Sequence, residues 1–171
     1  MQSSVSTGNK VKVLTLNAMI VAAYIVLSML SFGFASGAIQ FRISESLNHL
    51  VVFNKKLMWG VLGGVIIFNF VYGGFGIVDV IYGGGQTFLS LGLTAILSYF
   101  IKDKKTLLVL NTIFFTISMA LIALMLMNMG AADKGFWETY LFLALSELII
   151  MAVSAPIMYY VDKKVHFEAR T

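Results

Sequence analysis

Long apolar stretches alternate with short polar ones along almost the whole chain. Six of these stretches predict helices that cross a membrane, because each is flanked by charged residues or by glycine. Their expected bounds are about 13–34, 42–54, 57–72, 79–101, 106–127 and 140–161. The second is the shortest, and its apolar content alone would not reach across a hydrocarbon core of ~30 Å. The pattern predicts an all-α integral membrane protein, built as a compact bundle of six transmembrane helices.

Composition supports a membrane protein and excludes an ordinary soluble domain. Of the 171 residues, 59% are hydrophobic and only 12% are charged, and the mean hydropathy is +0.90. Residues 1–9 are polar and rich in serine, so we expect a short disordered cytoplasmic tail before a single transmembrane domain. The chain has no cysteine, which excludes disulfides and thiol chemistry.

The distribution of basic residues predicts the orientation of the bundle. With six crossings, the tail, the loops after helices two and four, and the C-terminus lie on one side. Ten basic residues fall on that side: Lys10, Lys12, Lys55, Lys56, Lys102, Lys104, Lys105, Lys163, Lys164 and Arg170. Only Arg42 and Lys134 remain for the other side. Cytoplasmic loops are rich in lysine and arginine, so both termini are expected in the cytoplasm. Because these residues follow helix ends, they indicate topology, and no nucleic-acid partner is expected.

The polar residues inside the apolar stretches converge at the outer half of the bundle. Glu45 opens helix two there, three residues after Arg42, so the two can pair on one helical face. The remaining candidates for ligand binding are Gln40, Asn69, Asp79, Gln86, Thr87, Trp137 and Glu147. A charge near the bilayer interior costs roughly 2.5–3.5 kcal/mol, so tolerated charges usually face a cavity or a partner. We expect a polar cup open at the outer face, above an apolar inner half.

Structural roles stay open for the same residues. Arg42 and Glu45 can form a self-satisfied ion pair, and Asp79 can cap the start of helix four. Glu147 can be held by interhelical hydrogen bonds alone. The amides and the threonine can join helices as polar contacts, and Trp137 can belong to an interfacial aromatic belt.

Catalytic signals are weak. The chain shows neither a phosphate-binding loop, nor a histidine pair at metal-ligand spacing, nor a convergent Ser/His/Asp set, so we expect no enzyme, cofactor or metal. An intramembrane enzyme with Glu147 as general base would need a second group, and Glu45 is the one serious candidate. A small self-sufficient secondary transporter is the other alternative, and it should show an inverted repeat. In helix one, Ala18-x-x-x-Ala22 is a small-xxx-small pattern that lets a partner helix approach closely.

These features together resemble the substrate-binding S component of an energy-coupling factor (ECF) transporter. More narrowly, three stretches are similar to the QueT family: Ile39-Gln40-Phe41-Arg42-Ile43-Ser44-Glu45, then Gly60 to Asn69, then Gly76 to Val80 with Gly83 and Thr87. The resemblance implies capture of a queuosine precursor, a 7-deazaguanine base, at the outer face of a bacterial cell membrane. It also implies docking through helix one on a transmembrane coupling subunit that carries two ATPases.

The charges at the outer face allow a separate judgement of the ligand. Glu45, Asp79, Glu138 and Glu147 outnumber Arg42 and Lys134 there, whereas an anionic vitamin would need the reverse. A carboxylate can accept two hydrogen bonds from the pairing edge of a deazaguanine, and an aminomethyl group would add an ammonium that needs a second carboxylate. Another flat, nitrogen-rich vitamin or a purine-like ligand remains possible on the same grounds.

Overall fold

The computed structural model describes residues 2–32 and 42–170, and this part of the chain is helical throughout, without strands. Its α-helices are α1 (Gln2–Phe32), α2 (Leu50–Phe53), α3 (Met58–Tyr72), α4 (Ile77–Leu97), α5 (Lys104–Asn128) and α6 (Phe136–Val165). Short 3₁₀ helices cover Ile43–His49, Lys55–Leu57 and Phe167–Arg170. The prediction of an all-α membrane bundle is confirmed.

The first helix begins earlier than predicted. α1 already begins at Gln2, so residues 2–9 continue the first helix instead of forming a disordered tail. A nucleated helix extends by one hydrogen bond per residue, and no proline stops it here. The predicted end of this helix at residue 34 lies outside the described residues. The ends of α3 to α6 differ from the predicted bounds by four residues at most.

The second predicted helix has an unexpected form. Residues 43–53, here called the central segment, begin as a 3₁₀ helix and only then become the four-residue α2. At about 2.0 Å per 3₁₀ residue and 1.5 Å per α residue, the segment is roughly 20 Å long. Most of its side chains are buried, including Ser44, Asn48, His49 and Val51. Irregular backbone at membrane depth is tolerated when protein surrounds it, which explains why this short segment lies inside the bundle.

Side-chain contacts fix the direction of the central segment. In α1, Asn17 Oδ1 accepts a hydrogen bond of 2.5 Å from the Gly60 N–H, and Tyr24 lies against Gly64, so α1 and α3 run parallel. The chain must therefore return between them. Ser28 bonds to Ser44 at 2.7 Å near the far end of α1, which places the start of the central segment there. The central segment thus forms the return crossing, although only five described helical stretches are long and apolar enough to span a bilayer by themselves.

The remaining helices alternate in direction and bring both ends of the chain to one end of the bundle. Gln86 of α4 bonds to Ser118 of α5, while Thr94 further along α4 bonds to Asn111, which precedes Ser118. At the start of α5, the Lys104 ammonium lies 2.9 Å from the Asp162 carboxylate near the end of α6. This lysine-rich end carries Lys10, Lys12, Lys55, Lys56, Lys102, Lys104, Lys105, Lys163 and Lys164.

A capping aspartate starts α5 at the lysine-rich end. The Asp103 carboxylate accepts hydrogen bonds of 2.8 Å from the Thr106 N–H and 2.6 Å from the Thr106 hydroxyl. These bonds hold the pKa of the exposed Asp103 carboxyl below its usual value. The cap fixes the start of α5, and Lys104 is the first residue of this helix. Its position next to Asp162 is therefore fixed as well.

Candidate functional site

A cavity of about 70 Å³ lies between the central segment and helices α1, α3, α4, α5 and α6. Most of the residues predicted to bind a ligand line it: Arg42, Glu45, Asn69, Asp79, Gln86, Thr87 and Glu147. The structure therefore brings together polar residues that are up to 105 positions apart in the sequence.

Of the two other residues predicted to bind a ligand, Trp137 is not among the described residues that line the cavity. Gln40 lies outside the described residues. Trp137 is 72% exposed, and its ring packs edge-on against Phe136 and Tyr140 in the first turns of α6. The proposed ligand contact of Trp137 stays a prediction, while its exposure fits the alternative of an interfacial aromatic residue.

Glu45 is held by two neutral donors. The Tyr24 hydroxyl donates to Glu45 Oε1 at 2.7 Å, and Asn48 Nδ2 donates to Glu45 Oε2 at 2.6 Å. All three side chains are buried. Because both carboxylate oxygens have a donor, the carboxylate is fixed before any ligand arrives.

The predicted ion pair between Arg42 and Glu45 is wrong. No carboxylate of a described residue lies within 4.0 Å of the Arg42 guanidinium, which lies 5.9 Å from the centre of the Phe68 ring. The reason is local geometry. Arg42 precedes the 3₁₀ helix with extended backbone, so it does not share a helical face with Glu45.

Glu147 differs from Glu45 in having an unused acceptor. Its side chain is 5% exposed and lines the cavity, and Oε1 has no hydrogen-bond partner among the described residues. Glu147 also lies within the electrostatic range of Glu45 and Arg42. A buried acceptor without a donor is costly, about 1–3 kcal/mol even for a neutral group. Both carboxylate oxygens of Glu45 thus accept hydrogen bonds, whereas Glu147 has one oxygen that lacks a donor among the described residues.

The amide side chains on the α3–α4 side of the cavity are anchored by the protein itself. Asn69 Nδ2 donates to the main-chain carbonyl of Asp79 at 3.2 Å, and Gln86 Nε2 donates to Ser118 at 2.9 Å. Thr87 reaches Gln86 Oε1 only at 3.4 Å. A Cβ on Gly83 would meet Asn69 Nδ2, so a larger residue at this position of α4 would displace the amide. The carbonyl of Gln86 keeps acceptor capacity toward the cavity.

Asp79 has a structural role beside its place in the cavity wall. Its Oδ2 accepts a hydrogen bond of 2.6 Å from the Phe75 N–H, which closes the turn between α3 and α4. Asp79 lies in the first turn of α4, but its bond goes to the turn before the helix, and no side chain caps α4 at Gly76. Asp79 also lines a second cavity of about 430 Å³, together with Gly73, Gly74 and Phe75. This second cavity, here called the vestibule, shares Arg42 and Asn69 with the first one and lies toward the bundle end opposite the lysines.

Apolar side chains complete the wall of the cavity. They are Val65, Met119, Ile122, Met125 and Leu143. Methionine side chains adapt to irregular shapes and contact aromatic rings favourably. The cavity therefore combines an acidic and amide-bearing wall with an apolar one.

Sequence reasoning missed Tyr24 and a buried polar layer next to the site. His49 Nε2 lies 2.9 Å from the Met151 carbonyl, which only accepts, so Nε2 carries the proton and Nδ1 accepts from Asn111 Nδ2 at 3.2 Å. Asn111 Oδ1 in turn accepts from Thr94 at 2.8 Å. This layer joins the central segment to α4, α5 and α6 one turn below Glu45. The hydrogen bonds of His49 therefore join the central segment to α5 and α6.

Removing the Tyr24 hydroxyl should destabilise the protein. In Tyr24→Phe, Glu45 loses one of its two protein donors while staying buried, and a hydrogen bond to a charged group contributes about 1.5–3 kcal/mol. We expect a lower thermal unfolding temperature in detergent. Tyr160→Phe is the control because Tyr160 is 65% exposed, and it should unfold at the wild-type temperature. Equal unfolding temperatures for both variants would contradict the role of Tyr24.

Comparisons with known proteins identify the family of this chain. The family model described as "QueT transporter" matches residues 14–163. The chain is 39% identical over 158 residues to the "Queuosine precursor transporter QueT" of Lactococcus lactis subsp. cremoris (strain MG1363), and the match covers 86% of this chain and 90% of that relative. No solved structure matches the chain significantly. Since the family model spans most of the chain and the relative is similar over nearly its full length, the chain belongs to the QueT transporter family.

Proposed function

We propose that this chain captures a cationic 7-deazaguanine, such as the aminomethyl form that is a queuosine precursor, in the cavity beside Glu147. The single observation that carries the proposal is the buried Glu147 Oε1, which lines the cavity without a donor from the described residues. The name of the L. lactis relative supports a queuosine precursor as the ligand. The cavity wall also carries three carboxylates and one guanidinium, a balance that favours a cation.

The two glutamates are suited to different groups of such a ligand. Glu147 accepts from the ammonium, because its free oxygen provides a charge-assisted hydrogen bond. Glu45 keeps lone pairs on both oxygens after bonding Tyr24 and Asn48, so it can accept two further bonds from the pairing edge of the base. The ring itself packs against the methionines and Leu143.

Binding measurements with three related bases test the proposed ligand. Isothermal titration calorimetry of the detergent-solubilised protein would use aminomethyl-7-deazaguanine, 7-deazaguanine without the aminomethyl group, and guanine. We expect the aminomethyl compound to bind at least roughly tenfold more tightly, since a hydrogen bond to a charged group contributes about 1.5–3 kcal/mol. Equal binding of all three bases, or preference for an anionic vitamin, would overturn the proposed ligand.

Delivery of the ligand would depend on a partner. We place both termini in the cytoplasm of a bacterial cell, following the lysine-rich end, so that the vestibule opens outward. As an S component, the chain would dock on a transmembrane coupling subunit with two ATPases. α1 is the least buried of the long helices, and Ala18 and Ala22 are both exposed on it, which supports docking on this face.

A bulky residue on the proposed docking face should separate transport from binding. Ala18→Trp should reduce uptake of labelled base at least about tenfold in cells that coexpress a coupling module, because the indole blocks close helix approach. Ligand binding by the purified variant should be unchanged. Ala23→Trp is the control, since Ala23 is also exposed but lies off the Ala18–Ala22 stripe. Normal uptake by Ala18→Trp would exclude docking through this stripe.

A further inference from the structure

A groove between α1 and α3 at the lysine-rich end is separate from the ligand cavity. It has a volume of about 600 Å³, and the side chains that matter for its chemistry are Lys10, Val13, Leu14, Lys56 and Trp59. Leu14 is 72% exposed and Trp59 is 59% exposed. The described protein thus leaves an apolar groove open beside two lysines.

The charged and apolar parts of the groove follow each other in the same order as the headgroup and the acyl chains of a phospholipid. Lys10 and Lys56 are at the lysine-rich end, where they can bind a phosphate, while Val13 and Leu14 follow on α1 toward the bundle centre. Trp59 lies in the first turn of α3, and exposed tryptophans are typical of the boundary between headgroups and acyl chains. We propose that this groove binds an anionic phospholipid, with its phosphate between Lys10 and Lys56 and an acyl chain against Val13, Leu14 and Trp59.

Charge and shape together favour a lipid over a free anion. A solvated phosphate would use the two lysines and leave the apolar part of the groove unoccupied. A lipid covers both parts, and each lysine near an anionic headgroup strengthens binding by a factor of about five. Loss of both lysines should therefore weaken binding roughly 25-fold.

Tryptophan fluorescence can report occupancy directly. The chain has two tryptophans, at positions 59 and 137, so Trp137→Phe leaves Trp59 as the only reporter inside the groove. This full-length variant would be placed in phosphatidylcholine nanodiscs that contain brominated phosphatidylglycerol or, in parallel, brominated phosphatidylcholine. We expect stronger quenching by the brominated phosphatidylglycerol at equal mole fraction.

Matched lysine variants decide whether the groove causes the preference. In the Trp137→Phe background, Lys10→Gln with Lys56→Gln should abolish the preference for phosphatidylglycerol. Lys163→Gln with Lys164→Gln should retain it, because these residues lie at the same end but do not line the groove. Equal loss in both pairs would show a general surface charge effect and overturn the site. Displacement of the brominated lipid by millimolar inorganic phosphate would overturn the lipid assignment in favour of a free anion.

Discussion

Glu147→Gln should reduce the affinity for an aminomethyl-7-deazaguanine by roughly 100-fold while leaving the protein folded. The substitution keeps the size of the side chain but removes the charge that pairs with the ammonium. Truncating one partner of a buried charge pair costs about 2–5 kcal/mol, and 2.7 kcal/mol corresponds to about 100-fold in affinity. Isothermal titration calorimetry on the purified variant would measure the change.

Glu138→Gln is the matched control for this prediction. Glu138 lies on the same helix, is exposed, and forms an ion pair with Lys134, away from the residues that line the cavity. Its variant should bind with wild-type affinity. The uncharged 7-deazaguanine should bind Glu147→Gln and the wild type equally, because it lacks the ammonium. A loss of affinity for both bases in Glu147→Gln would show that Glu147 shapes the cavity instead of recognising the cation.

The difference between the two glutamates explains how an acidic cavity can exist inside a membrane protein. Tyr24 and Asn48 donate hydrogen bonds to Glu45, and these bonds offset the free energy that is lost when the carboxylate is buried. Glu147 has one oxygen that the described protein leaves without a donor. A ligand with a cationic group would donate a hydrogen bond to this oxygen. Much of the binding energy would therefore come from this oxygen, for which the described protein has no donor.

The sequence predicts the helices and the gathering of polar residues well. Long apolar stretches and lysine clusters mark α3 to α6 within a few residues, because hydropathy reflects the thickness of the bilayer directly. Asn69, Asp79, Gln86, Thr87 and Glu147 lie in the half of their helices that is opposite the lysine-rich end, and depth follows from the rise per residue. The sequence is therefore sufficient to predict that these residues lie in one cavity.

The features that sequence reasoning missed depend on the direction in which a side chain points around its helix and on the type of helix. The depth of a residue in the membrane gives neither. The partner of Glu45 is Tyr24 from another helix, and an aromatic residue in an apolar stretch gives no signal of that pairing. The pairing of Arg42 with Glu45 assumed an α-helix, whereas the central segment starts in a 3₁₀ form. Lateral contacts of this kind are set by how whole helices pack.

Gly64 links the packing of α1 against α3 to the position of Tyr24 in the candidate site. A Cβ on Gly64 would lie 2.6 Å from Tyr24 Cβ and 2.8 Å from Tyr24 Cγ, closer than side-chain atoms can approach. Gly64→Ala must therefore move α1 away from α3 or rotate Tyr24. Either movement pulls the Tyr24 hydroxyl from Glu45, because that bond is only 2.7 Å long and both residues are buried.

We expect Gly64→Ala to lower the free energy of unfolding by about 1–3 kcal/mol, the usual cost of overpacking a tight contact. Ligand affinity should fall as well, because Glu45 is no longer held in its binding position. Thermal unfolding and calorimetry on the purified variant would measure both effects. Gly85→Ala is the control, since a Cβ there would meet no atom within 4 Å, and alanine favours the helix by about 0.5–1 kcal/mol. If Gly64→Ala unfolds earlier but binds ligand with wild-type affinity, Gly64 supports only the helix contact and Tyr24 does not control Glu45.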